Sequence, residues 1–282
     1  MRETTLTDPE GILVEPEGAT TGVLVLSGSS GRIETDRCRM LASHGVAAAS
    51  IRYFGGAGQA AQACEVPVEV FDDTLADLHA RYERLGVLGT SWGAQAALLL
   101  GTLHAEIDAV VGISPSHVVW AGLSVDRPQR SSWTVRGEAM PFVPFDQESI
   151  AEAVEGASEQ GEPPSFCESY VSALEKYADR VPAATIAAER IAGEVLLVAG
   201  GDDALWPSAL MAELVRRRRA VAGEETTIVS HAGAGHRVVL PGETPVAATA
   251  HRAWGGSEEA DRELGVLALP EVLAVLRGRV TE

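Results

Sequence analysis

Residues 89–93, Gly-Thr-Ser-Trp-Gly, place a serine between two glycines and are well suited to covalent chemistry. An apolar run precedes them and an Ala/Leu-rich run follows, so Ser91 lies where a strand would pass into a helix. A Gly-x-Ser-x-Gly turn strains the serine and exposes its hydroxyl above the sheet, and larger neighbours than glycine would collide there. The same five residues also fit a simple packing role, because small residues let a helix lie close to a sheet.

A serine hydroxyl becomes an effective nucleophile only when a neighbouring base removes its proton. In one known arrangement the chain order is Ser, then Asp or Glu, then His, each beyond the end of its own strand. Asp203 follows the run VLLVAGG, and His236 follows TTIVSH in a Gly/Ala-rich loop. We therefore predict a catalytic triad of Ser91, Asp203 and His236. Asp202 is the alternative acid, but the Gly200-x-x-Asp203 spacing favours the later carboxylate, which lies further past the strand.

An oxyanion hole is the other requirement of this chemistry. One donor is expected to be the backbone N–H of Trp92, and the second to come from the loop after an early strand. The loop LSGSSGR at 26–32 offers the N–H of Ser29, with Ser30 as the second choice. Such a loop could also bind phosphate, but it lacks a P-loop lysine and the spacing of a dinucleotide fingerprint. We expect no cofactor and no metal ion.

Apolar strand-like runs alternate with helix-like runs along the chain, which favours an α/β fold whose parallel sheet is covered on both faces. The predicted strands lie within 22–28, 46–54, 87–90, 107–114, 194–203 and 225–236, and the predicted helices at 34–45, 65–86, 92–104, 206–220 and 268–280. We interpret residues 1–282 as a single domain.

Residues 116–190 break this alternation and contain no clear strand-helix unit. They include a Trp- and Pro-rich part and helical stretches at 147–161 and 166–181. Long insertions inside a compact domain are often lids or binding segments. We predict a cap or lid insertion, although surface decoration is the alternative. The predicted substrate-binding residues are Trp120, His117, Trp133, Phe142 and Trp206.

The net charge of −18 disfavours nucleic acid as a partner, because phosphate binding needs a basic surface. No apolar run approaches the length of a membrane span, and the first residues contain no apolar secretion segment. Three scattered cysteines, Cys38, Cys64 and Cys167, are expected to be reduced thiols. Together these features predict a cytoplasmic protein that acts on a small molecule and binds no membrane.

Six stretches, taken in order, resemble the C-terminal catalytic domain shared by acyl-CoA thioesterases and bile acid-CoA:amino acid N-acyltransferases, a relative of dienelactone hydrolase. They are GSSGRIETDRCRMLASHGVAAASIRYFG, LGTSWGAQAAL, GISPSHVVWAGL, SSWTVRGEAMPFVP, VLLVAGGDDALWPS and HAGAGH. The resemblance implies an α/β-hydrolase fold with a mostly parallel central sheet flanked by helices. It also implies that Ser91, Asp203 and His236 form the triad.

The expected function is therefore that of a serine hydrolase acting on acyl thioesters, with coenzyme A or another carrier, or on activated esters. An acyltransferase that passes the acyl group to an amine or alcohol is the alternative. A non-catalytic binding protein on a hydrolase scaffold is a third interpretation. Coenzyme A would require a local basic patch, for which Arg32, Arg37 and Arg130 are candidates.

Overall fold

A computed structural model describes residues 1–124, 128–245 and 250–279. Its strands are β1 (Arg2–Thr7), β2 (Glu10–Glu15), β3 (Thr21–Leu26), β4 (Ala47–Ile51), β5 (Val66–Pro67), β6 (Arg84–Thr90), β7 (Ala109–Ile113), β8 (Trp133–Val135), β9 (Glu138–Ala139), β10 (Glu194–Gly200) and β11 (Thr227–His231). Eight of them form one sheet in the order β1-β2-β4-β3-β6-β7-β10-β11, and β5, β8 and β9 form a small second sheet.

The large sheet is parallel from β4 to β11, and the hairpin β1–β2 adds two antiparallel strands beside β4. Its parallel strands end at one common edge, which is where open α/β sheets place their sites. The predicted α/β fold class is confirmed. The hairpin was missed because β1 is almost wholly exposed and carries little of the apolar pattern that marks a buried strand.

The described residues contain eight α-helices. They are α1 (Thr35–Ser43), α2 (Asp72–Arg81), α3 (Trp92–Leu103), α4 (Gln147–Gln160), α5 (Cys167–Lys176), α6 (Val181–Ala184), α7 (Ser208–Val221) and α8 (Glu258–Arg277). Side chains of α2, α3 and α7 share one apolar core with the sheet, and those of α1 and α8 share another. The sheet is therefore covered on both faces, as its apolar strands predicted. None of these helices has the length and apolar character that a membrane span needs.

The predicted helix over 65–86 is wrong at both ends. Val66 and Pro67 form a short strand, a turn of 3₁₀ helix follows, and only Asp72–Arg81 is α-helical. Pro67 has extended backbone angles, and Tyr82 is also extended where the chain enters β6. The apolar spacing at 70–82 thus indicated a real helix. This helix is shorter than predicted because the residues on both sides of it are extended.

The last helix begins ten residues earlier than its predicted start at 268. Ser257 caps it by accepting a hydrogen bond from the N–H of Ala260 at 3.1 Å, and Glu258 and Glu259 follow in the first turn. Pro270 lies inside the helix and made the sequence look as if a helix started near it. The capping serine and the acidic first turn were the signals for the true start.

Residues 116–190 contain β8, β9, α4, α5 and α6, and α4 and α5 match the two helical stretches expected there. Strand β8 pairs in parallel with β5, which ties this segment to the chain just before α2. Helix α4 buries none of its residues completely. The role of residues 116–190 as a cap or lid stays a prediction.

Candidate active site

Ser91 lies between the end of β6 and the start of α3, with φ 58° and ψ −117°. A positive φ is uncommon for serine and marks a backbone held in place by its surroundings. The N–H of Ser91 donates to the carbonyl of Ile113 on the neighbouring strand at 2.9 Å. Its own carbonyl accepts from the N–H of Ala94 at 2.9 Å, which starts the helix directly after the turn. The backbone is therefore fixed on both sides of the serine side chain.

The two glycines of the turn are required by close backbone contacts. A Cβ atom on Gly89 would overlap the carbonyl of Gly93, and one on Gly93 would overlap the carbonyls of Leu26 and Ser27. These contacts press the start of α3 against β3 and β6. The packing interpretation and the chemical interpretation of the motif are therefore compatible, since the tight packing itself produces the sharp turn at Ser91.

Asp203 and His236 form a buried hydrogen-bonded pair beyond the ends of β10 and β11. The Oδ2 atom of Asp203 lies 2.8 Å from Nδ1 of His236, and the two side chains are 1% and 3% exposed. The Oδ1 atom accepts from the N–H groups of Leu205 and Trp206 at 2.9 and 3.2 Å. These donors offset the cost of burying the carboxylate. A carboxylate on Nδ1 selects the tautomer whose Nε2 can accept a proton.

The neighbouring acid, Asp202, has a different environment. Its Oδ2 accepts from the N–H of Gly256 at 3.0 Å in an exposed setting. The structure therefore brings Asp203, and not Asp202, to the imidazole of His236.

The backbone of His236 is held on both sides. Its N–H donates to the carbonyl of Trp254 at 2.8 Å, and its carbonyl accepts from the hydroxyl of Ser114 at 2.9 Å. Ser114 directly follows β7, is fully buried and has a φ of 47°. Sequence reasoning missed Ser114, although a serine directly after a buried strand was the signal that could have drawn attention to it. This strained serine connects the central strand β7 to the histidine loop.

The loop after β3 lies against the turn at Ser91. A Cβ atom on Gly28 would be 3.2 Å from Cβ and 3.7 Å from Oγ of Ser91. The hydroxyl of Tyr53 donates to the carbonyls of Ser27 and Gly28, at 2.6 and 3.2 Å, and so fixes the loop. Ser29 follows in this loop and is half-buried. Trp92 begins α3, where N–H groups have no acceptor within the helix.

Five aromatic side chains form a packed cluster beside His236, which we call the aromatic wall. Its rings are linked by centroid distances of 4.7 to 6.5 Å, and the ring of Trp206 lies 5.6 Å from that of His236. Trp206 stacks on Trp92 at 5.3 Å. The wall consists of Trp92, Trp120, Phe145, Tyr170 and Trp206.

Side-chain hydrogen bonds fix two of these indoles. Nε1 of Trp92 donates to the hydroxyl of Ser132 at 3.0 Å, and Nε1 of Trp120 donates to that of Ser116 at 2.9 Å. The Ser132 hydroxyl in turn donates to the carbonyl of Trp120 at 2.8 Å. Helix α3 and residues 116–190 are therefore joined directly at the wall.

The predicted substrate-binding residues are divided by the structure. Trp120 and Trp206 belong to the wall, whereas Trp133 stacks on Tyr53 at 5.9 Å in a separate aromatic group with Phe71. Phe142 is half-buried against the core. His117 is buried, its Nδ1 has no hydrogen-bond partner among the described residues, and burial lowers its pKa to about 4.

Phe145, Tyr170 and Trp254 complete the surroundings of the site and were not identified from the sequence. The Trp254 ring lies 5.6 Å from that of His236. Of the arginines considered for a carrier, Arg37 is buried against Glu243, and Arg130 pairs with Glu65. The local sequence around each of these residues has no pattern that indicates which distant residues it contacts.

Comparison with known proteins extends these observations. The BAAT / acyl-CoA thioester hydrolase C-terminal family matches residues 67–263. A mouse (Mus musculus) protein named peroxisomal succinyl-coenzyme A thioesterase is 22% identical over 272 residues, which cover 91% of this chain and 59% of the mouse protein. The chain therefore spans less than two thirds of that relative.

Among solved structures, a lipase in its open form covers 98% of this chain and 97% of its own, with a TM-score of 0.54 and 14% identity. DcsB in complex with its substrate analogue covers 98% and 99%, with a TM-score of 0.53 and 12% identity. These likenesses concern the fold. With the family match over most of the length, they show that this chain is an α/β hydrolase belonging to the BAAT / acyl-CoA thioester hydrolase C-terminal family.

Proposed function

We propose that the protein hydrolyses acyl thioesters with Ser91 as nucleophile, His236 as general base and Asp203 as the group that orients the imidazole. The observation that carries the proposal is the buried Asp203–His236 hydrogen bond at the sheet edge where Ser91 occupies its strained turn. Membership of a thioester hydrolase family supports the substrate class.

In the first half-reaction the Ser91 oxygen attacks the thioester carbon while its proton passes to Nε2 of His236. The negative charge that develops on the carbonyl oxygen would be stabilised by the N–H groups of Trp92 and Ser29. The carbon–sulfur bond then breaks, and the leaving thiolate takes the proton from His236. The product of this step is an acyl ester on Ser91 and a free thiol.

In the second half-reaction a water molecule attacks the ester carbon and gives a proton to Nε2 of His236. The bond to the Ser91 oxygen breaks, and the proton returns to that oxygen as the carboxylic acid leaves. Asp203 stabilises the imidazolium in both halves without taking a proton itself. One thioester and one water thus yield one acid and one thiol.

Two of the three cysteines, Cys38 and Cys167, offer no comparable nucleophile. Burial raises the pKa of the Cys38 thiol well above its usual value, and burial with the charge of Asp203 raises that of Cys167 to about 11. Both thiols therefore remain protonated near neutral pH. A serine acyl-enzyme is an oxyester, which amines attack much less readily than a thioester, so water competes well. This chemistry favours hydrolysis over amide formation.

A partition experiment tests this proposal. The protein is incubated with an acyl thioester and millimolar glycine or taurine, and the free acid and amide are quantified by mass spectrometry. We expect the free acid to predominate, and we expect Ser91→Ala to release neither product above background. Predominant amide at modest amine concentration would instead identify an acyltransferase.

A further inference from the structure

Arg252 is a half-buried arginine beside the proposed catalytic histidine. Its guanidinium carbon lies 5.5 Å from the centre of the Trp254 ring, which itself lies 5.6 Å from the His236 ring. Across residues 1–124, 128–245 and 250–279, no carboxylate forms an ion pair with Arg252. Other buried or half-buried arginines, such as Arg37 and Arg84, each pair with a glutamate. An unpaired cation here is unusual in a chain that carries 40 acidic residues.

The charge of Arg252 also acts on Tyr170, a member of the aromatic wall. Burial raises the pKa of the Tyr170 phenol, the positive charge of Arg252 opposes that rise, and the charge of Asp203 adds to it. Tyr170 packs on Trp120 and Trp206 within the wall. The charge of Arg252 therefore acts on the aromatic wall as well as lying beside the histidine loop.

A second arginine shares the same indole. The guanidinium carbon of Arg237 lies 4.1 Å from the centre of the Trp254 ring. Burial lowers the pKa of Arg237, Asp261 opposes this, and the positive charges of Arg32 and Arg252 lower it further. The two guanidinium groups therefore lie near the same indole, and their like charges repel each other. Guanidinium groups are well shaped to bind carboxylate and phosphate oxygens.

We propose that Arg252, supported by Arg237, binds a carboxylate at the far end of the substrate's acyl group. This inference rests on the proposed thioesterase function and specifies its substrate class. A phosphate of the carrier has similar chemistry, but the phosphates of coenzyme A are separated from the thioester by the whole pantetheine arm. Arg252 is one aromatic ring away from His236, a separation that suits a short acyl chain ending in a carboxylate.

The first test compares glutaryl and pentanoyl thioesters of N-acetylcysteamine, which differ by the terminal carboxylate and carry no phosphate. We expect wild type to prefer the glutaryl substrate in kcat/KM. Arg252→Gln should lower the glutaryl-to-pentanoyl ratio by roughly 10–100-fold, the usual effect of losing a charge-assisted hydrogen bond. Arg252→Lys should retain part of the preference. The matched control is Arg180→Gln, because Arg180 is exposed and lies over the ring of Tyr177. It should leave the ratio unchanged.

The second test changes the carrier. If Arg252→Gln impairs pentanoyl-coenzyme A but leaves the glutaryl-to-pentanoyl ratio on N-acetylcysteamine intact, the anion is a carrier phosphate and the proposal is overturned. An unchanged ratio with both carriers overturns it equally.

A binding measurement separates this proposal from the proposed function. Glutarate should slow labelling of wild type by a fluorophosphonate much more than pentanoate does, and Arg252→Gln should abolish this difference. Absence of turnover on every thioester would refute the thioesterase function, yet glutarate protection would still support the carboxylate site. Equal protection by both acids would refute the site even in an active thioesterase.

Discussion

The carboxyl edge of the parallel sheet and residues 116–190 contribute to the same site by different means. At the edge, backbone ladders and short hydrogen bonds fix Ser91, Asp203 and His236, each just after its own strand. Residues 116–190 instead supply rings, such as Trp120 and Tyr170, that are placed by packing across an irregular fold. Groups fixed by the sheet suit chemistry that tolerates little displacement. Substituting the packed rings should disturb the geometry of these groups less, so we expect the rings to govern acyl selectivity.

The largest effect should come from Ser91→Ala at the sheet edge. Removing the nucleophile should lower kcat by roughly 10⁴–10⁶-fold if the triad acts as a unit. Steady-state hydrolysis of an acyl thioester measures this directly. Ser158→Ala, on the exposed face of α4, is the matched control and should leave kcat unchanged. Near-normal turnover in Ser91→Ala would show that the sheet edge does not supply the nucleophile.

Asp202 and Asp203 are adjacent in sequence, but only Asp203 is hydrogen-bonded to His236, so substituting each in turn tests this pairing. Asp203→Asn should lower kcat by roughly 10³–10⁴-fold, because an amide cannot stabilise the imidazolium or hold the same tautomer. Asp202→Asn should cost less than about tenfold, since it removes only an exposed hydrogen bond to Gly256. Both variants are measured with the same thioester. The reverse ranking would move the acid by one residue and contradict the structural pairing with His236.

Substitutions in the aromatic wall should change which acyl chain length the protein prefers. Phe145→Ala creates space between Trp92 and Trp120 and should shift the preferred acyl length, with changes of roughly tenfold in relative kcat/KM. Phe142→Ala removes a half-buried ring in the same segment and should shift it much less. A series of saturated acyl thioesters measures both variants. Equal effects of the two substitutions would show that the wall does not set selectivity.

A last effect concerns stability rather than catalysis, at His117, where the two regions join. Burial lowers the pKa of folded His117 to about 4, whereas in the unfolded chain its pKa is the usual 6.5. As the pH falls below 6.5, the unfolded chain therefore takes up a proton that the folded protein does not yet bind. The contribution of His117 to the free energy of unfolding is therefore fully present above pH 6.5 and is lost as the pH falls towards 4. This loss is on the order of 3 kcal/mol.

Urea unfolding at pH 7 and pH 4.5 measures this difference. His117→Gln should lose less stability between the two pH values than wild type does, and His251→Gln, at an exposed histidine, should behave as wild type. If wild type and His117→Gln lose stability in parallel, the buried imidazole does not titrate as its environment implies.

The same contrast explains what could be predicted from the sequence. Ser91, Asp203 and His236 follow apolar strands, and parallel strands end at one edge, so chain order alone was enough to propose them. The second sheet and the wall depend on contacts between segments distant in sequence. Tyr170 lies on a helix whose neighbours are far along the chain, and Trp254 reaches His236 from a loop with no periodic pattern. Such contacts are not encoded in local spacing.

The most direct test of the central claim is the location of the acyl group during turnover. The protein is mixed with an acyl thioester, quenched in acid within the first turnovers, and digested for peptide mass spectrometry. We predict one acyl adduct on the peptide that contains Ser91, and its loss in Ser91→Ala. An adduct on Cys38, Cys64 or Cys167, or turnover that persists in Ser91→Ala, would contradict the account.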